Sequence, residues 1–230
     1  MQKALTLVQT GIGKKALVAI TGAILFGFVI AHMIGNLQVF LGREHLNEYA
    51  EFLHSMPKAL WAARIVLIVA VVTHIGLTIS LATQNRSARA SRYRVNADVA
   101  KQSPIEKYAR KTMVLSGLIV LAFVVFHLAH LTLHADVVPG HPWVEDDLYA
   151  NVVAGFRNPF ITGFYVFANL LLGIHLFHGS HSLLQSLGLR SPRFDARIRN
   201  GAIAFAVIVS LANVAMPLAI LARVTGGDLE

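Results

Sequence analysis

The chain has 230 residues, of which 55% are hydrophobic and only 14% charged, with a net charge of +8 and a mean hydropathy of +0.60. This composition excludes an ordinary soluble domain. The absence of cysteine excludes disulfides, iron–sulfur clusters held by thiolates and covalent haem attachment within this chain. The basic residues lie in a few loops, which favours a membrane topology over nucleic acid binding.

Five apolar runs are long enough to cross a bilayer, for which about 20 residues suffice. We therefore expect an all-α membrane protein that forms one domain over residues 1–230 and has five transmembrane helices. The predicted spans are residues 16–41, 59–83, 112–134, 159–187 and 201–223.

The basic residues separate the two sides of the membrane. Most of them flank the ends of the spans that would meet on one side: Lys3, Lys14, Lys15, Arg86, Arg89, Arg92, Arg94, Lys101, Lys107, Arg110, Lys111, Arg190, Arg193, Arg197 and Arg199. The positive-inside rule then predicts a cytoplasmic N-terminus and an outside C-terminus. The expected location is the cytoplasmic membrane of a bacterium or archaeon.

The two outer connections differ in character. Residues 43–56 place apolar side chains at helical spacing between acids, which predicts a short interfacial helix. Residues 135–158 contain two prolines and read as a loop, in which Trp143 and Tyr149 suit the interfacial zone. No internal repeat is evident.

Four histidines, His32, His74, His127 and His175, lie in four different spans. At 1.5 Å per residue, His32 and His127 lie about 25 Å from the cytoplasmic boundary, whereas His74 and His175 lie roughly 18–22 Å from it. A single intramembrane histidine is often a packing or proton-path residue, but four at paired depths favour shared ligands. Two six-coordinate haem b groups, each bound by one pair, fit this pattern.

The spacing leaves some ligands ambiguous. His130 and His134 share a helical side with His127, and His178 shares one with His175. Geometry alone does not choose among them.

The chain resembles the single-chain, two-haem cytochrome b anchor (b558-type, five helices) of succinate:quinone oxidoreductase and quinol:fumarate reductase. The resemblance covers nearly the whole chain. It rests on the order of AHMIGNLQVFLG (31–42), LNEYAEFLH (46–54), THIGL (73–77), SGLIVLAFVVFHLAHLTLH (116–134) and LLGIHLFHGSHSLLQSLG (171–188).

The resemblance implies a ligand for each ambiguous span. It selects His175, which precedes Gly179 by four residues and Gly188 by thirteen, and His127, which follows Ser116 by eleven. His130 stays open as the alternative in the third span. The implied assignment is a proximal haem bound by His74 and His175, near the iron–sulfur partner, and a distal haem bound by His32 and His127.

The resemblance also implies the reaction and the partners. A flavoprotein subunit oxidises succinate to fumarate, an iron–sulfur subunit passes the electrons to this anchor, and a quinone, expected to be menaquinone, is reduced here, or the sequence runs in reverse. The basic loops are candidate docking surfaces, and Arg64 is a candidate partner for a distal haem propionate, although snorkelling to the headgroups explains Arg64 equally well. Membrane lipid and a higher oligomer of the complex are further expected partners.

The quinone site needs groups that donate to carbonyl oxygens and deliver protons. Glu48, Glu51 and His54 on the outer segment are the candidates, an acid-rich solvated loop is the alternative reading, and a site beside the proximal haem is the rival location. Two other functions stay open. One is the haem b anchor of a hydrogenase, formate dehydrogenase or nitrate reductase, and the other is a haem-free transporter whose histidines carry protons.

Overall fold

The computed structural model describes residues 9–87, 104–133, 142–189, 191 and 193–226. Within these ranges the chain forms seven α-helices, a short 3-10 helix and no strand. The α-helices are α1 (Gly11–Asn36), α2 (Arg43–His54), α3 (Pro57–Ser87), α4 (Pro104–Leu131), α5 (Leu148–Phe156), α6 (Pro159–Ser186) and α7 (Asp195–Leu221), and the 3-10 helix Leu37–Leu41 follows α1. Of the residues singled out above, Lys3, Arg89, Arg92, Arg94, Lys101, His134 and Arg190 lie outside the described ranges.

Helices α1, α3, α4, α6 and α7 are each long and apolar enough to cross a membrane. This confirms the predicted all-helical fold with five spans. The first helix begins earlier than predicted, at Gly11, because the Thr10 side chain caps it by accepting a hydrogen bond from the Gly13 amide at 3.0 Å. Lys14 and Lys15 therefore lie inside the first two turns of α1.

Helix α6 lies at the centre of the bundle. It packs along α7, α4 and α1. Helix α1 also packs along α3. Gly173 of α6 lies so close to Ser210 of α7 that a Cβ at this position would overlap the serine side chain. Small residues of this kind let membrane helices approach closely. Helices α3 and α4 expose most of their apolar side chains, as expected of lipid-facing helices.

Side-chain contacts show that three pairs of packed helices are antiparallel: α1 with α3, α4 with α6, and α6 with α7. We call the end at which α1, α4 and α7 begin the basic end, and the opposite end, where α2 and α5 lie, the α2 end. Helix α2 confirms the helix predicted within residues 43–56. Helix α5 was not predicted, because its nine residues lie in a stretch that was read as a loop.

The α2 end has its own apolar core. Tyr149 and Phe156 of α5 are 2% and 0% exposed and pack with Val39, Leu46 and Ile220. Tyr149, which the sequence predicts to suit the interfacial zone, packs in this core because α5 turns its side chain inward.

Asp147 connects α2 to the start of α5. Its carboxylate accepts hydrogen bonds from Asn47 Nδ2 at 2.9 Å and from the Ala150 amide at 3.1 Å, and it pairs with Arg43. Burial of the carboxylate opposes its ionisation, but these three donors more than offset that effect and hold the pKa of Asp147 below its usual value. Asp147 is thus both the N-cap of α5 and the ionic contact between two helices.

Replacing Asp147 with Asn should lower the stability of the protein by about 0.5–1 kcal/mol, because it removes the ion pair with Arg43 and the negative charge at the start of α5, while the amide oxygen can still cap the helix. The lowered pKa means that the carboxylate stabilises the fold fully above its unfolded pKa of about 3.9 and ceases to do so as the pH falls through the folded pKa. Apparent melting temperatures in detergent at neutral and acid pH measure this. Asp146→Asn, at an exposed neighbour, is the control. Equal melting temperatures for Asp147→Asn and the unmodified chain at neutral pH would contradict the role given to this carboxylate.

Candidate functional site

The four candidate histidines lie in two pairs. The rings of His32 on α1 and His127 on α4 have centroids 5.6 Å apart and planes at 81° to each other. His175 on α6 lies within electrostatic range of His74 on α3. The pairs are those expected from the depths of the residues.

Each pair lies between helices that are not direct neighbours. Over the described residues, α1 and α4 make at most marginal backbone contact, and so do α3 and α6. A metal–imidazole bond is about 2 Å long, so two imidazoles on one ion place their ring centres roughly 6 Å apart. The separation between His32 and His127 is close to that value.

A hydroxyl group on a neighbouring helix holds each member of the second pair. The Nδ1 atom of His74 lies 3.2 Å from Thr21 Oγ1 on α1, and the Nδ1 atom of His175 lies 3.3 Å from Ser116 Oγ on α4. These contacts fix the orientation of each ring in the way that outer groups orient metal-ligating histidines.

The hydroxyl groups also determine the tautomer. Thr21 Oγ1 lies 2.8 Å from the Leu17 carbonyl, and Ser116 Oγ lies 3.0 Å from the Met113 carbonyl. Because each hydroxyl donates its proton to a carbonyl of its own helix, it accepts a hydrogen bond from the histidine Nδ1–H. The Nε2 lone pair of His74 and of His175 is then available as a ligand.

A glycine follows each of these hydroxyl residues and lies against the same ring. A Cβ at Gly22 would lie 3.4 Å from His74 Cε1, and a Cβ at Gly117 would lie 3.4 Å from His175 Cε1. A methyl group at either position would just touch the ring, so a side chain longer than that of alanine would meet the ring. The two glycines therefore let each ring pack directly against the neighbouring helix.

The sequence analysis missed Thr21 as a histidine partner and missed the repeat that contains it. Thr21-Gly22 precedes His32 by eleven residues, and Ser116-Gly117 precedes His127 by the same number. Helices α1 and α4 thus repeat one pattern, a hydroxyl residue and a glycine followed by a candidate ligand. The equal spacing was the signal that could have revealed it.

Tyr165 contacts both His127 and His130, and the packing of His130 distinguishes the two. The Tyr165 hydroxyl lies 3.2 Å from His127 Nδ1 and 3.0 Å from His130 Nδ1. His130 is 4% exposed, and its ring packs against Phe156 with Nε2 directed at Gly155 on α5. His130 therefore fills the core between α4 and α5, whereas His127 lies beside His32.

The remaining histidines of α6 lie toward the basic end. His178 lies within electrostatic range of His175. His181 Nε2 lies 3.7 Å from Asp195 Oδ1 at the start of α7. His175, rather than His178, makes the contact with Ser116 that sets the tautomer.

The candidates at the α2 end are more exposed. Glu48, Glu51 and His54 all lie on the exposed side of α2. The guanidinium of Arg64, near the start of α3, lies 5.1 Å from the centre of the Trp61 ring, which is a cation–π contact. The structure brings Arg64 to an aromatic side chain, and it leaves the three α2 residues facing outward.

The residues present fit a haem better than a metal ion held by protein ligands alone. Among the described residues, no group of three or more His, Asp or Glu side chains converges as a metal site. A porphyrin supplies four equatorial nitrogens, so two imidazoles complete its six-coordinate iron. The gaps between the helices of each pair and the available Nε2 atoms suit such a group.

One further atom bears on the fit of a polar ligand near this site. The hydroxyl oxygen of Thr78 is buried and has no hydrogen-bond partner among the described residues. Thr78 lies one turn beyond His74 on the same side of α3. Buried polar groups in proteins are nearly always hydrogen-bonded, so this atom favours a polar ligand on the basic-end side of His74.

These features define a helical bundle with five candidate membrane spans and two half-buried histidine pairs. Comparison with protein-family models, curated proteins and solved structures gives no match for the chain.

Replacing Gly155 with Ala should destabilise the protein by about 1–3 kcal/mol, because the added methyl would lie 2.6 Å from His130 Nε2 in a packed core. Gly163→Ala is the matched control, since no atom lies within 4 Å of the added methyl there. Melting temperatures of both variants in detergent check the difference. If Gly155→Ala melted no lower than Gly163→Ala, the packed position of His130 would be wrong.

Proposed function

We propose that this chain is the two-haem cytochrome b anchor of a membrane-bound succinate:quinone oxidoreductase. In this role it carries electrons between an iron–sulfur partner and a quinone. The observation that carries the proposal is the pairing of His32 with His127 between α1 and α4. The hydroxyl contacts of His74 and His175, which leave Nε2 of each ring available, support a second pair. The family resemblance of the five sequence segments supports the choice of the succinate enzyme among haem b anchors.

The two pairs would form a path along the bundle. Gly22 lies beside His74, and His32 follows it by ten residues on the same helix, which places the two levels about 15 Å apart. Haem iron bound by two imidazoles accepts and releases single electrons and has no open coordination position. The protein contributes the fixed spacing, the ring orientation and the apolar surroundings.

The charge distribution supports an orientation for this path. In the described part of the chain, the basic end carries Lys14, Lys15, Lys107, Lys111, Arg193, Arg197 and Arg199. By the positive-inside rule this end faces the cytoplasm, where the flavoprotein and iron–sulfur subunits would dock. The pair His74 and His175 is then the proximal site, and the pair His32 and His127 is the distal site.

The quinone site is proposed at the α2 end. Glu48, Glu51 and His54 are exposed on α2, which packs beside the 3-10 helix that follows α1. Carboxylate and imidazole groups there can exchange protons with water while a quinone receives electrons from the distal site. Their exposure supports proton delivery.

Alanine replacement of the four histidines tests the pairing. His74→Ala and His175→Ala should each remove the same haem, and His32→Ala and His127→Ala should each remove the other, because an iron that loses one imidazole loses its six-coordinate site. Reduced-minus-oxidised spectra with haem quantification on the purified complex measure this. His130→Ala is the control and should retain both haems. Loss of the distal haem in His130→Ala but not in His127→Ala would contradict the assignment.

Removing the hydroxyl groups that orient the proximal ligands should weaken haem binding without removing a ligand. Thr21→Val and Ser116→Ala should each reduce the affinity for the proximal haem about 10- to 100-fold, as for other outer groups that orient metal-ligating histidines. Thr83→Val, on the exposed surface of α3, is the control. Haem retention during dilution or competition with apomyoglobin provides the measurement. Retention equal to the control in both variants would show that these hydroxyl groups do not support the ligands.

A further inference from the structure

Lys14 is a buried cation at the basic end of α1. Its residue is 7% exposed, and its Nζ atom donates to Ser80 Oγ on α3 at 2.8 Å. Among the described residues no carboxylate pairs with Lys14, since the ion pairs there involve Asp147 and Asp195. A buried ammonium with only a neutral partner is unfavourable unless an anion completes its surroundings.

The position of Lys14 relates it to the His74–His175 site. Lys14 precedes Thr21 by seven residues, so the two lie on one face of α1 about 10 Å apart. Because α1 and α3 run antiparallel, Thr21 contacts His74 and Lys14 contacts Ser80 along the same interface. Lys14 therefore lies two turns from the proximal ligand, toward the basic end.

Thr78 gives a second, independent indication of a ligand in this region. Its buried hydroxyl oxygen has no hydrogen-bond partner in the described part of the chain. It lies on α3 between the levels of His74 and Ser80. A ligand that passed from His74 toward Lys14 would place polar atoms along this stretch.

We infer that Lys14, which Ser80 holds in place, binds a propionate carboxylate of the proximal haem. This inference rests on the proposed function. An ammonium supplies charge-assisted hydrogen bonds to an anionic oxygen group, and Thr78, on the His74 side of α3, would donate to a polar atom of the same ligand one turn from His74. A phospholipid phosphate has the same chemistry, but the burial of Lys14 within the bundle, beside an exposed Lys15, favours a ligand inside the protein.

The test compares Lys14→Gln with Lys15→Gln, which removes the same charge from the adjacent, exposed position. Optical redox titration of the purified complex gives the midpoint potential of each haem. Lys14→Gln should lower the midpoint potential of the haem that His74→Ala removes, because an uncompensated propionate stabilises ferric iron. At the original midpoint potential, the ratio of oxidised to reduced proximal haem should rise about tenfold. Lys15→Gln should leave both potentials unchanged. Lys14→Arg keeps the positive charge and should keep the midpoint potential of the proximal haem close to that of the unmodified complex.

Ser80→Ala keeps the test decisive if Lys14→Gln does not assemble. It should shift the same haem in the same direction by a smaller amount, and the propionate bending band in the resonance Raman spectrum should move with it. Unchanged potentials with both haems present would overturn the inference while leaving the proposed function intact. Loss of a tightly bound anionic phospholipid from Lys14→Gln, with unchanged potentials, would assign the site to a lipid phosphate instead. A complex whose anchor contains no haem would overturn the proposed function itself.

Discussion

An imidazole placed among apolar helices must be hydrogen-bonded or ligated, and the arrangement of the bundle depends on this requirement. His74 and His175 each direct Nδ1 to a hydroxyl group on the adjacent helix. His127 directs Nδ1 to Tyr165. In each case Nε2 takes no part in these contacts, and under the proposed function the group that it binds would lie between helices that make little direct contact.

Helix α6 makes this arrangement possible. It packs along α1, α4 and α7, and it carries both His175 and Tyr165. The close approach at Gly173 fixes α6 against α7, so α6 can hold His175 at one level and orient His127 through Tyr165 at the other. Helices α1 and α4 contribute the repeated pattern of a hydroxyl residue, a glycine and a histidine. Helices α1 and α4 thus use equivalent residues to orient His74 and His175.

The sequence predicted the features that depend on hydrophobicity and helical periodicity. Five spans and the α2 helix follow from long apolar runs and from spaced apolar residues. The helical rise predicted which histidines share a level, but it placed the two levels about 3–7 Å apart. In the structure they lie about 15 Å apart, since His74 is level with Thr21 and Gly22 of α1. Helix α5 was not predictable in this way, because its stability comes from burial of Tyr149 and Phe156 against distant parts of the chain. The distinction between His127 and His130 likewise depends on Gly155, which is close in space but in a different helix. The burial of Lys14 likewise depends on contact with α3, where Ser80 accepts a hydrogen bond from its Nζ atom.

The most direct measurement is the number and coordination of haems in the purified complex. Haem extraction combined with low-temperature electron paramagnetic resonance gives both. The account predicts two haem b groups per anchor chain, both six-coordinate and low-spin with two imidazole ligands. An anchor that contains no haem, or iron that is high-spin with an open position, would contradict it.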